Sequence, residues 1–173
     1  MYGISILIIC FGILARLIPH DFNFAPIGAI AIFSGIYLSR RWSWTFPLIA
    51  MIASDAIIGV YDWKLMAFVY GSFLISVLIG KLIAKKKNVL TMGAGALVGS
   101  VQFFLITNAA CVFLDVWYPH TWAGVMQSYT AGLPFFRNTV LSDLFYLAIF
   151  AGAFEFAKMF VERFRIRHSL VTH

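Results

Sequence analysis

Residues 108–143 read NAACVFLDVWYPHTWAGVMQSYTAGLPFFRNTVLSD and lie between two long apolar runs. The stretch is rich in aromatic side chains, Gly and Pro, and it contains most of the polar groups that the chain places near apolar helices. One apolar run enters it and another leaves it, which indicates two helices joined at an end that meets water. The stretch therefore predicts the wet end of a membrane protein, where a small solute is held.

The composition of the whole chain favours a membrane protein. Of its 173 residues, 62% are hydrophobic and 12% are charged, and the mean hydropathy is +0.90. A soluble domain has about 25% charged residues, so this chain has too little polar surface to cover a globule in water. Lipid removes that difficulty because it replaces water as the solvent. Cys10 and Cys111 lie in apolar runs without a metal-site spacing, which predicts buried free thiols.

Six apolar runs predict an all-α integral membrane protein, with six transmembrane helices in one domain over residues 1–173. The predicted helices cover 3–18, 25–38, 45–59, 65–84, 89–114 and 135–161, and a short basic tail follows at 162–173. Pro19 ends the first helix, which no basic region precedes, so we interpret it as a retained helix rather than a signal peptide. Loops 1, 3 and 5 are predicted at 20–24, 60–64 and 115–134.

Basic residues are distributed unevenly over the two faces that alternating helices create. Of the 13 Lys and Arg residues, three fall on one face: Arg16, Lys64 and Arg137. The other face receives ten: Arg40, Arg41, Lys81, Lys85, Lys86, Lys87, Lys158, Arg163, Arg165 and Arg167. The positive-inside rule assigns that second face, with both termini, to the cytoplasm. The net charge of +6 therefore predicts contact with anionic lipid and not nucleic-acid binding.

The outer face has the opposite character, because loops 1, 3 and 5 combine acidic and aromatic side chains with few bases. It is the face on which a ligand is first met. Its polar and aromatic residues are His20, Asp21, Asn23, Tyr61, Asp62, Trp63, Asp115, Trp117, Tyr118, His120 and Trp122.

Two polar residues near this face are candidates for ligand binding. Asp55 lies close to the outer end of helix 3, where a carboxylate at membrane depth costs several kcal/mol unless it is paired or hydrated. It is either a ligand or gating contact or a helix-end carboxylate that reaches water. Asn108 lies in helix 5 seven residues before Asp115, which predicts that both side chains share one helix face. Asn108 either contacts a ligand or bonds across helices.

Helix 6 is predicted to begin with Arg137, Asn138 and Asp143. An arginine at the outer end of a helix suits a carboxylate or phosphate, and free N–H groups at the helix start favour the same anions. The alternative is that Arg137 pairs with Asp143 or Asp115. Ligand binding by Arg137 or Asn138 and structural pairing are both open.

The aromatic part of loop 5 is a candidate lid, formed by Tyr118, Trp122 and Tyr129. Its rings can stack on a ring-bearing ligand or belong to an interfacial aromatic belt. His20 and His120 both follow a proline on the outer face. A metal between them is possible on residue type alone, but a solvated loop histidine is the more common case, and we predict no metal and no cofactor.

Pairs of small residues recur at four-residue spacing, and such pairs let helices approach closely. We expect internal packing first and docking of another membrane subunit second; the pairs are Ala25/Ala29, Ala31/Gly35, Gly95/Gly99 and Ala153/Ala157. The chain has no phosphate-binding loop, zinc-protease motif, nucleophile elbow or dinucleotide fingerprint. We therefore predict that it is not an enzyme, and that any uphill transport is driven by an ion gradient or a partner.

Several motifs resemble those of known membrane proteins. NFAPIGA at 23–29, SDAIIG at 54–59 and the KKK turn at 85–87 resemble the substrate-binding S components of energy-coupling-factor vitamin transporters. QFFLITN at 102–108, YPHTWAG at 118–124 and PFFRNTVLSD at 134–143 resemble a bacterial family of transport proteins without an assigned substrate. The likeness covers about residues 10 to 150.

The resemblance implies a six-helix bundle in the bacterial cytoplasmic membrane, with a solute site near the outer leaflet closed by loops 1, 3 and 5. The solute would be a vitamin, a vitamin precursor or a metal-containing cofactor such as a corrinoid. It also implies a transmembrane coupling subunit with two ATPases. In that group small residues on helix 1 mark the coupling interface, whereas this helix has only Gly12 and Ala15, without four-residue spacing.

The leading hypothesis is therefore a substrate-binding membrane subunit for a small nutrient. Its polar contacts would come from Asn108, Arg137, Asn138 and Asp55. The first alternative is a carrier that works alone, driven by a gradient or facilitative. An integral-membrane enzyme and a purely structural subunit are the others, and the few His and Asp residues stand in no recognised catalytic spacing.

Overall fold

A computed structural model describes residues 2–18, 23–39 and 41–171. The described chain is all-helical and contains no strand, which confirms the predicted class. Its helices are α1 (Tyr2–Leu17), α2 (Ile27–Tyr37), α3 (Trp42–Ile58), α4 (Trp63–Ile83), α5 (Val89–Phe113) and α6 (Trp122–Val171), and a 3₁₀ turn (Ala84–Lys86) follows α4. Pro19, which was predicted to end helix 1, lies outside the described residues, as do His20, Asp21 and Arg40.

The short helix α2 forms the centre of the bundle. It packs against all of the other five helices, and nine of its eleven residues, 27 to 35, are buried. Such a helix is apolar around its whole circumference because no side meets water. Phe33 lies in the middle of the core, with the rings of Phe150 and Phe154 packed edge-on against it at 6.0 and 5.9 Å.

α2 and α4 approach closely because two glycines face each other. A Cβ on Gly35 would overlap the carbonyl oxygen of Val77, and a Cβ on Gly80 would overlap that of Ile32. The small pairs Ala25/Ala29, Ala31/Gly35 and Gly95/Gly99 all lie on helices or turns inside this packing. Ala153 is exposed. The fourth pair, Ala153/Ala157, therefore does not pack inside the bundle with both of its residues.

The bundle has two ends of different chemistry. We name the first the cavity end; it contains the connections α1–α2, α3–α4 and α5–α6. The second is the lysine end, with the connections α2–α3 and α4–α5. There Lys87 pairs with Glu155 on α6, and Tyr37 on α2 donates to the same carboxylate at 3.1 Å. Lys81 lies over the ring of Trp44, 4.2 Å from its centre.

The segment between α5 and α6 differs most from the prediction. Loop 5 was predicted to run to Pro134, but α6 already begins at Trp122 and includes Pro134. A proline inside a helix removes one N–H and the hydrogen bond it would make. Membrane helices tolerate this because neighbouring helices pack around the site. The helix also continues through residues 162–171, the segment predicted as a basic tail.

Three of the described helices are long and apolar enough to cross a membrane. These spans are Trp63–Lys86, Val89–Phe113 and Trp122–Arg163. The apolar helices Gly3–Leu17, Ile27–Tyr37 and Trp42–Ile58 are shorter, and α2 measures about 17 Å at the usual rise. Large apolar side chains such as Leu7, Leu14 and Phe156 are exposed on the outside of the bundle, as expected where lipid is the solvent. Six spans remain a prediction.

Candidate functional site

The cavity end encloses a cavity of about 620 Å³. Ligand sites for small molecules typically occupy about 300 to 1,000 Å³. All six helices and the three connections at this end contribute to the wall. Its lining residues are Arg16, Asn23, Ala25, Ile27, Gly28, Met51, Tyr61, Leu65, Val69, Phe73, Ser76, Gly99, Phe103, Phe104, Thr107, Asn108, Cys111, Trp117, Tyr118, Ser128, Ala131, Gly132, Phe135, Phe136, Thr139 and Asp143.

The three connections place polar and aromatic side chains at the mouth of the cavity. Asn23 comes from the first, Tyr61 from the second and Tyr118 from the third. Among the described residues, each connection also contains one with positive φ: Asn23 at 60°, Gly59 at 121° and Asp115 at 50°. Positive φ is uncommon in residues other than glycine and marks a tight turn of the backbone. Burial, together with the charge of Asp55, raises the pKa of Tyr61 to about 12.

A charged cluster joins α1, α3 and α4 beside the cavity. Arg16 Nη2 lies 2.8 Å from Asp55 Oδ1, and Tyr70 donates its hydroxyl to Asp55 Oδ2 at 2.7 Å. Arg16 Nη1 donates to the Ser54 hydroxyl and contacts Met51 Sδ at 3.3 Å. Asp55 is 2% exposed, so of its two predicted alternatives the helix-end carboxylate that reaches water is wrong. Both of its oxygens have partners, and Arg16 rather than Asp55 lines the cavity.

The second buried carboxylate has fewer partners. Asp143 on α6 is 2% exposed, and its Oδ2 accepts a hydrogen bond from Ser100 on α5 at 2.8 Å. Oδ1 has no hydrogen-bond partner among the described residues. The backbone N–H of Ala29, in the first turn of α2, points to the carboxylate and stabilises its charge. Its geometry does not meet the distance and angle of a hydrogen bond to Oδ1. The carboxylate occupies the space that a Cβ on Gly28 would fill.

Asn108 lines the same cavity but is held by its neighbours. Its side-chain Nδ2 donates to the Phe104 carbonyl at 2.8 Å. The Ser128 hydroxyl on α6 lies 3.0 Å from the Asn108 carbonyl oxygen and 3.3 Å from its Oδ1. Gly132 lets α6 approach here, since a Cβ would overlap the Asn108 side chain. The Asn108 side chain thus accepts a bond from another helix and also lines the cavity, and its contact with a ligand stays a prediction.

Aromatic rings make up much of the remaining wall. Phe73 on α4 stacks on Phe103 on α5, with centroids 5.0 Å apart. Phe104 on α5 packs against Phe136 on α6 at 4.8 Å. Flat rings on two sides of a cavity favour a ligand with a flat or apolar body.

Other predicted site residues lie elsewhere. Arg137 is exposed and Asn138 is half-buried with a partner of its own, and neither lines this cavity. They stand fifteen or more positions inside α6, so the prediction that they sit at a helix start with free N–H groups is wrong. The predicted pairing of Arg137 also fails, because Asp115 pairs with His120 and Asp143 accepts from Ser100.

The lid residues are divided between two places. Tyr118 lines the main cavity, whereas His120, Trp122 and Tyr129 line a second, smaller one of about 330 Å³. Trp122 and Tyr129 belong to α6 rather than to a loop, and Tyr129 donates its hydroxyl to the Leu105 carbonyl at 2.8 Å. A lid of all three residues therefore does not form over the main cavity.

The predicted common face of Asn108 and Asp115 is also wrong. α5 ends at Phe113, and the left-handed backbone at Asp115 turns its side chain out of the helical register. That carboxylate lies 2.8 Å from His120 Nδ1 instead. His20, the other half of the possible histidine pair, lies outside the described residues. In the described part of the chain no three His, Cys, Asp or Glu side chains gather as a metal site would require.

Arg16 is the main lining residue that sequence reasoning missed as a site candidate. It was counted only as a basic residue on the outer face. A signal was present, because an arginine in the last turn of an apolar helix needs a partner, and Asp55 is an intramembrane carboxylate of opposite charge. Ser100 and Gly28 gave no comparable signal, since small residues in apolar helices are common.

The chain belongs to the Family of unknown function (DUF6580), whose sequence model matches residues 2–165. No curated protein matches the chain at a significant level. No solved structure matches it at that level either.

Proposed function

For this member of that family, we propose a role in membrane transport: it binds a small nutrient at the outer face of the bacterial cytoplasmic membrane for uptake. One observation supports this most directly. A cavity of about 620 Å³ is lined by every helix and by all three connections at one end of the bundle. A protein that only filled space in an assembly would have no need of a ligand-sized cavity of this kind.

The proposed orientation places the cavity end outside. Arg41, Lys81 and Lys85 to Lys87 all belong to the lysine end, and the positive-inside rule puts such a cluster in the cytoplasm. The chain would then cross six times, with both termini inside. α2 is too short for the ~30 Å hydrocarbon core, but its buried position means that α2 meets protein rather than lipid along its length.

The lining favours a solute with a flat or apolar body and a few polar groups. Phe73, Phe103, Phe104 and Phe136 supply the aromatic walls. Asn23, Thr107 and Asn108 supply polar atoms nearer the mouth. A ring-bearing vitamin or vitamin precursor has this character, and the volume suits a molecule of that size better than a complete corrinoid.

Two variants of α6 test whether the cavity is the binding site. Thr139 lines it and Thr130 does not, yet each donates its hydroxyl to the carbonyl four residues earlier. Thr139→Phe fills the cavity, and Thr130→Phe adds the same ring at an exposed position. The wild-type protein is screened against vitamins and precursors by thermal shift, since a ligand at 100 times its Kd stabilises by about 2.7 kcal/mol.

We expect a stabilising ligand whose effect is lost in Thr139→Phe and retained in Thr130→Phe. Equal binding to both variants would show that the solute does not use this cavity. Uptake into vesicles reconstituted with this protein alone, without ATP, would then identify a solitary carrier. Uptake that requires an added ATPase module would identify a substrate-binding subunit.

A further inference from the structure

Four polar residues of the cavity wall, Thr107, Asn108, Ser128 and Thr139, already use hydrogen-bond donors within the protein. Thr107 and Thr139 donate their hydroxyls to the carbonyls of Phe103 and Phe135, at 2.8 and 2.9 Å. Ser128 donates to Asn108, whose Nδ2 in turn donates to the Phe104 carbonyl. A hydroxyl that donates to the backbone keeps its acceptor lone pairs. Below the mouth, the unused capacity is therefore mainly that of acceptors.

The charged residues of the cavity wall also favour a ligand that donates hydrogen bonds or is positively charged. Of the lining residues, Arg16 and Asp143 are the charged ones. The charge of Arg16 is compensated by Asp55 at 2.8 Å. No cationic side chain pairs with Asp143 in the described parts of the chain, and its Oδ1 lacks a hydrogen-bond partner. A buried carboxylate in this condition costs free energy that a bound cation or donor would offset.

On the basis of the proposed function, we propose that the solute is an organic cation: a ring-bearing molecule whose protonated nitrogen is bound at Asp143. The carboxylate supplies the charge and a free acceptor atom. The rings of Phe104 and Phe136 supply a surface that favours both flat groups and cations. Acceptor lone pairs of Thr139 and Asn108 suit further N–H or O–H groups of the solute.

The position of Asp143 restricts which solutes can bind to its carboxylate. The carboxylate lies in the floor of the cavity against Gly28 at the start of α2, and it does not project into the open space. A donor must therefore reach the floor to bind it, which a nitrogen at the end of an extended molecule can do. An anionic solute would meet a negative charge that no cationic side chain compensates in the described structure, at low dielectric, where repulsion is strong.

Three probes of one shape test the charge preference: tryptamine, which is a cation at pH 7, tryptophol, which is neutral, and indole-3-acetate, which is an anion. Their Kd values are measured by calorimetry on the protein in phosphatidylcholine nanodiscs, with empty nanodiscs subtracted. Asp143→Asn is compared with Asp115→Asn, since Asp115 is exposed and does not line the cavity. Thr139→Phe and Thr130→Phe report separately whether the cavity is used.

We expect tryptamine to bind best and to lose about 10- to 100-fold in Asp143→Asn, the range for a hydrogen bond to a charged group. Asp115→Asn should bind it as the wild type does. Equal or tighter binding of tryptophol or indole-3-acetate overturns the cation proposal, as does no binding of any probe. If the preferred probe is neutral or anionic but still excluded by Thr139→Phe, the cavity remains a solute site and only its charge preference is wrong. Should Asp143→Asn not fold, the ranking of the three probes on the wild type decides.

Discussion

Asp55 and Asp143 are both 2% exposed, but their surroundings are opposite. Asp55 is paired with Arg16 at 2.8 Å and accepts the hydroxyl of Tyr70 at 2.7 Å. Asp143 has one side-chain partner, Ser100, and an oxygen without any in the described structure. The first carboxylate holds three helices together, whereas the second lines a cavity with one buried oxygen that has no hydrogen-bond partner among the described residues.

The difference shows how one membrane bundle can use the same residue type in two ways. A buried charge with a complete set of partners is expensive to disturb, because removal of one partner leaves the other uncompensated. A buried charge with an incomplete set of partners destabilises the protein, and a ligand that supplies the missing partner removes that cost. Burial alone therefore does not separate the two carboxylates, whereas the number of their satisfied acceptor atoms does.

The largest effect should come from breaking the Arg16–Asp55 pair. Arg16→Met leaves Asp55 buried without its cation, and we expect a loss of about 3 to 5 kcal/mol in the free energy of unfolding. Denaturation followed by helical circular dichroism in detergent measures it. Arg137→Met is the matched control, because Arg137 is exposed on α6. It should lower the free energy of unfolding by less than about 0.5 kcal/mol. Similar losses in both variants would contradict a special role for the pair.

A smaller effect should follow from crowding Asp143. In Gly28→Ala the new methyl group meets the carboxylate, so Asp143 or the start of α2 must move, at a cost of about 1 to 3 kcal/mol. Gly71→Ala is the control, since nothing lies within 4 Å of the Cβ it adds. That change should be neutral or stabilise the helix by up to about 1 kcal/mol. The same denaturation measurement compares them, and a neutral Gly28→Ala would refute the close contact.

The smallest effect on stability should come from Asp143→Asn. The amide keeps the shape and can still bond Ser100, and the desolvation penalty of a charge disappears. We expect the free energy of unfolding to change by less than about 1 kcal/mol in either direction. Thermal unfolding without ligand checks this. A loss as large as that of Arg16→Met would place Asp143 with Asp55 as a structural carboxylate and end the comparison.

The sequence was sufficient to predict the ends of a helix where charged or capping residues flank a purely apolar run. α4 and α5 lie within two residues of their predicted ends, because Asp62 caps one, accepting from Leu65 N–H at 2.9 Å, and Asn88 caps the other. The start of α6 was missed by thirteen residues. Gly132 and Pro134 normally break a helix, but here Gly132 allows contact with α5 and packing tolerates Pro134.

The candidate site was predictable in part. Asn108, Asn23, Tyr118 and Asp143 were named from the sequence and line the cavity. The ion pair between Arg16 and Asp55 was not predictable, because the two residues are 39 positions apart and meet only when α1 packs on α3. Local patterns place a polar group on an element. Which group finds a partner depends on the packing of the helices.

The central position of α2 has a consequence for how the protein is made. Its eleven residues cannot be stably inserted as an independent span, and its partners include α6, which begins at Trp122 and is therefore synthesised long after α2. During synthesis α2 is therefore without these neighbours until α4, α5 and α6 have been made. A chain interrupted before α6 would leave uncovered the side of α2 that α6 packs against.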